Sequence, residues 1–137
     1  MNILVVLDGN DYDEFLLKQS EKFINSHKDN IFLVYVIEVK QILAIDIQIE
    51  EDILIGENTL NKAEKILNLP KINNQAQLLQ SRHKGSAIVN EIIRNDIKLL
   101  FVGTEYPKRY GAFDFNNYLN YLLKNSPCDV FLFRAEL

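Results

Sequence analysis

The stretch Lys98–Val130, KLLFVGTEYPKRYGAFDFNNYLNYLLKNSPCDV, decides the fold. Lys98 to Val102 is a short apolar run closed by Gly103, the pattern of a strand buried on both faces. An irregular segment runs from Thr104 to about Asp114. Phe115, Tyr118, Leu119, Leu122 and Leu123 then recur at helical spacing. Ser126-Pro127 stops that helix, because proline disfavours helical geometry in the residue before it. Asp129 to Arg134 reads as a further strand. In a parallel sheet, ligands gather at the carboxyl ends of strands, so the loop after Gly103 is the first place to look for function.

Working outward, Asn2 to Leu7 is another apolar strand, ending in the turn cluster Asp8-Gly9-Asn10-Asp11. A helix is expected over Tyr12–Ser26, with Phe15, Leu16, Phe23 and Ile24 inward. Ile31 to Ile37 is a second buried strand. Glu38 to Glu50 reads either as a strand, from its alternating isoleucines, or as the first turns of the next helix. That helix spans about Glu51 to Leu67. Gln75 to Gln80 is a polar strand, suited to a sheet edge. Ser86 is placed to cap a helix over Ala87–Asn95. Five strands alternating with four helices predict an α/β fold: an open parallel sheet, strand order 3-2-1-4-5, with helices on both faces.

The chain has 137 residues, most simply one domain spanning 1–137. Its single cysteine, Cys128, excludes a disulfide framework and a cysteine-based zinc cluster. The formal charge of −4 argues against a nucleic-acid partner. No apolar run approaches the ~20 residues of a membrane helix, and no basic leader precedes the first strand. No membrane association is expected, and the expected address is the cytoplasm. His27 and His83 have no Glu or Cys at ligand spacing, so no metal site is expected. No catalytic triad can be argued, so no enzyme activity is expected.

Four segments, in order and at consistent spacing, carry a family resemblance. They are ILVVLDGN at residues 3–10, RHKGSAIVNEII at 82–93, DIKLLFVGT at 96–104 and NSPCDVFLF at 125–133. Together they resemble the universal stress protein family over essentially the whole chain. The resemblance implies a stress-response protein and a dimer formed through the last strand, Val130 to Phe133. It implies a nucleotide cleft in which Asp8 meets adenosine and a loop Gly-x2-Gly-x9-Gly-Ser/Thr holds phosphates. Without gaps, that loop falls on Gly103, Tyr106 and the pair Asn116-Asn117, so two of the three glycines are replaced. Tyr106 adds bulk and Pro107 removes a donor amide.

Asp8, Gly103, Asn116 and Asn117 therefore read as a vestigial nucleotide site, with no cofactor expected; ATP is the alternative. For Asp8 the plainer reading is an exposed turn and cap residue, and it is the one favoured. Lys108 and Arg109 read as a solvated pair or as an anion contact. The aromatics Tyr106, Tyr110, Phe113 and Phe115 either close the cleft or give the 104–115 loop a protein partner. Two functions follow, ranked ahead of a slow nucleotide hydrolase, for which no residue is an evident general base. One is a non-catalytic, dimeric stress-response protein working through protein association, with weak or no ATP binding. The other is an ATP-binding regulatory switch with a divergent phosphate loop.

Overall fold

A computed structural model describes residues 1–24, 28–67, 73–105 and 117–135. The element order is β1 (Asn2–Val6), α1 (Tyr12–Glu21), β2 (Asn30–Glu38), α2 (Glu50–Ile66), β3 (Asn73–Ser81), α3 (Lys84–Arg94), β4 (Leu99–Glu105), α4 (Asn117–Asn125) and β5 (Asp129–Ala135). The five strands form one sheet in the order β3-β2-β1-β4-β5. Every pairing is parallel, with Ile3 opposite both Ile31 and Leu99. The expected architecture and strand order are both found.

The pleat of the central strands divides the core in two. Ile3, Val5, Leu33 and Phe101 pack against Leu16 and Leu17 of α1 and Leu60 and Ala63 of α2. Leu4, Val6, Leu100 and Val102 face the other way, against Ile88 and Ile92 of α3 and Leu119 and Leu122 of α4. A strand buried on both sides needs apolar residues at every position, which is why these runs do not alternate with polar residues.

Several local expectations are corrected. Helix α1 ends at Glu21, five residues before the expected Ser26. Phe15 and Phe23 are not inward: they are 56% and 40% exposed. They lie on the β5 side of the molecule, where Phe15 stacks on Phe133 at 5.5 Å and Phe23 meets the edge of Phe101. Helix α3 starts at Lys84, three residues before Ala87, and its N-cap is His83 rather than Ser86. The His83 ring accepts the Ser86 backbone N–H, and the Ser86 hydroxyl donates back to the His83 carbonyl. The stretch between β2 and α2 is a run of turns rather than a strand or a helix. Its carbonyls are held from outside. Gln80 Nε2 donates to Ile45 and Ile47, and the Arg82 guanidinium donates to Lys40 and Leu43.

Candidate functional site

The order 3-2-1-4-5 reverses direction between β1 and β4, and the chain leaves these two strands toward opposite faces. A crevice opens at such a point, at the carboxyl ends of the strands. Asp8 stands there, two residues past the end of β1. The turn that carries it depends on Gly9, whose φ of +77° suits glycine and few other residues. It is braced by Asp13 from the first turn of α1. The Asp13 carboxylate accepts the Asp8 N–H at 3.1 Å and the Gly9 N–H at 2.8 Å. Burial pushes the Asp13 carboxyl up to about 6, against the opposing pull of these two hydrogen bonds.

Asp8 is not the exposed turn and cap residue favoured from sequence: its side chain is 9% exposed. Three side chains from three helices converge on it. The Lys84 ammonium, at the start of α3, pairs with Oδ1. The Tyr12 hydroxyl from α1 donates to Oδ2 at 2.5 Å, and the Tyr118 hydroxyl from α4 donates to the same oxygen at 2.6 Å. Lys84 Nζ also lies 4.1 Å from the centre of the Tyr118 ring, a cation–π contact. Burial, then the adjacent Asp8 charge, pushes the Tyr12 phenol well above its ordinary range. The hydroxyl therefore stays a neutral donor.

Gly103 is brought to the same place. A Cβ built on it would stand 2.4 Å from Tyr12 Cδ2 and 2.6 Å from Cε2. Glycine is needed here because the Tyr12 ring packs directly against the β4 backbone at this position. Tyr12 thus fills the space between the ends of β1 and β4, joining Asp8 to Gly103. Asn117 is the first residue of α4. Asn116, Tyr106, Pro107, Lys108, Arg109, Tyr110, Phe113, Phe115 and His27 lie outside the described residues. Among the described residues, no group of three His, Cys, Asp or Glu is placed to hold a metal ion. No helix of the described residues is long and apolar enough to cross a membrane.

Sequence reading missed Tyr12, Lys84 and Tyr118. One signal was available for Lys84. A lysine in the first turn of a helix opposes the helix dipole, so it wants a carboxylate nearby. The two tyrosines gave none, since each sits where an apolar helix position is expected.

The comparisons agree with this fold. The family model for "Universal stress protein family" matches residues 1–134. A universal stress protein from Archaeoglobus fulgidus superposes with a TM-score of 0.79 at 18% identity, covering 96% of this chain and 97% of that one. The Archaeoglobus fulgidus universal stress protein in complex with dAMP gives 0.73 at 18% identity, covering 96% of each chain. A universal stress protein family protein from Arabidopsis thaliana with AMP bound gives 0.60 at 14% identity, covering 99% of this chain and 92% of that one. Among curated protein sequences, no relative matches. At these identities the structures speak to the fold alone, and the family model speaks to descent. On that match, the chain belongs to the universal stress protein family.

Proposed function

We propose that this chain is a non-catalytic universal stress protein that acts as a homodimer through protein association, with its nucleotide crevice closed by its own side chains. One observation carries the reading: Asp8 is already bonded by Lys84, Tyr12 and Tyr118. A ligand seeking that carboxylate must displace a buried ion pair and two charge-assisted hydrogen bonds, each worth roughly 1.5–3 kcal/mol. The Tyr12 ring lies on Gly103, where backbone would otherwise be open to a phosphate. The replaced loop glycines point the same way.

The dimer reading rests on β5. It ends the sheet, and Phe131 and Phe133 extend the α1-side core while Val130 and Leu132 extend the other. An edge strand apolar on both faces is one that proteins cover. Sedimentation showing only monomer at micromolar concentration would contradict the dimer.

The second reading is an ATP-binding switch. It is favoured by the adenine nucleotides bound to two of the similar structures, dAMP in one and AMP in the other. Calorimetric titration with Mg-ATP separates the two. Our reading expects binding weaker than roughly 100 μM, or under about 6 kcal/mol. It expects affinity to appear only when Tyr12→Ala, which uncovers Gly103, is combined with Tyr106→Gly and Asn116→Gly. Tight binding by the wild type would overturn the closed crevice and establish the switch.

A further inference from the structure

The crevice at Asp8 is filled, but a cavity of about 360 Å³ lies on the other side of the same turn, between α1 and α2. Its lining includes apolar side chains: Leu17 and Ala63 are buried, and Ile66 packs on the same cluster. It also includes Gly9 of the turn and Asp13 of the first turn of α1. Asp13 is 9% exposed, and each of its oxygens accepts one backbone N–H. A carboxylate has about four acceptor positions, so both oxygens keep capacity for another donor.

Charge around the cavity is unbalanced. Asp11, Asp13 and Glu14 line it, against Lys62 alone. Glu14 is engaged by Lys18 at 2.9 Å. Burial acts on the Asp13 carboxyl more strongly than its hydrogen bonds or the nearby Lys84 charge, so ionised Asp13 is incompletely compensated. The positive end of α1 would ordinarily invite an anion, but its first turn already carries Asp13 and Glu14. The volume is of the order that encloses a small organic molecule, roughly 300 Å³ and upward.

We propose that this cavity binds a small organic ammonium ion, its charged head on Asp13 and its apolar body over Leu17, Ala63 and Ile66. The inference does not require the crevice to be closed or open to nucleotide, although Asp13 also braces the Asp8 turn.

The test uses 2-phenylethylammonium as probe and phenylacetate, of similar shape and opposite charge, as control. The amine is expected to raise the melting temperature and to shift the amides of Gly9, Asp13 and Ala63, whereas phenylacetate does neither. Ala63→Phe fills the cavity and should abolish the response. Ile66→Phe, nearer the surface, serves if the first variant does not fold. Lys62→Met removes the competing cation at the rim and should tighten binding several-fold. No response of the wild type at about 10 mM amine would overturn the proposal. So would an equal response to phenylacetate, or full response in the filled-cavity variant.

Discussion

The Tyr118 hydroxyl donates to Asp8 Oδ2 at 2.6 Å, joining two residues 110 positions apart in the chain. Tyr118→Phe keeps the ring over Lys84 and removes only that donor. We expect a loss of about 1–2 kcal/mol, as for a hydrogen bond to a charged group. Lys84→Met, which leaves the Asp8 charge buried without its counter-ion, is expected to lose more, about 3 kcal/mol. Urea unfolding of both single variants and the double variant measures these costs. The deletions should be non-additive, because both side chains act on one carboxylate.

Gly103→Ala puts a methyl group into the Tyr12 ring. Crowding of this kind costs about 1–3 kcal/mol. The cost should fall when Tyr12→Ala is added, since the obstructing ring is then gone. Thermal unfolding of the pair checks this, and an additive result would mean the strain lies elsewhere.

Asp13 gives a pH dependence of definite sign. Its carboxyl moves from an ordinary 3.8 to about 6 in the folded protein. The folded state therefore holds this proton more tightly than the unfolded state. Its contribution is fully present below about pH 4 and is lost as pH rises through about 6. At about 1.4 kcal/mol per pH unit, the swing is on the order of 3 kcal/mol. Asp13→Asn should remove this component. The check is the wild-type minus variant difference in unfolding free energy, measured from pH 4 to 7.

His83→Ala removes the acceptor for the Ser86 N–H and should cost about 1 kcal/mol, as loss of a helix cap does. Ser86→Ala leaves that bond in place and should cost less. Denaturant midpoints of the two variants decide which residue is the cap.

Phe15→Ser removes a ring that is 56% exposed and stacked on Phe133. The expected cost to the subunit is about 1 kcal/mol. If β5 pairs with a second copy, the same change weakens self-association, because the stack borders the edge strand. Denaturation at low concentration and sedimentation across concentrations separate the two effects.

The sheet was legible because its central strands are buried on both faces. An uninterrupted run such as Ile31–Ile37 has few other places to go in a chain of this length. The cap of α3 was not legible, since a histidine ring seldom serves where Ser, Thr, Asp or Asn usually do. The segment from Glu38 to Glu50 carries little order of its own. Its carbonyls are fixed by Gln80 and Arg82, more than thirty residues away in sequence. At the candidate site, Asp8 stood out by its position after a strand and Gly103 by closing an apolar run, although β4 continues through it to Glu105. The lysine and tyrosines that occupy their crevice come from residues 12, 84 and 118, and only the folded topology reveals that they meet.

The placement of β1 at the centre of the sheet has a consequence in time. Its neighbours are β2, which follows one helix later, and β4, which begins only at Leu99. On the ribosome, β1, β2 and β3 can therefore assemble while the other edge of β1 is still bare. That edge is apolar on both faces, from Ile3 to Val6, and it is a template for any extended segment that reaches it first. That edge stays bare until Leu99–Phe101 have left the ribosome and paired with Ile3–Val5.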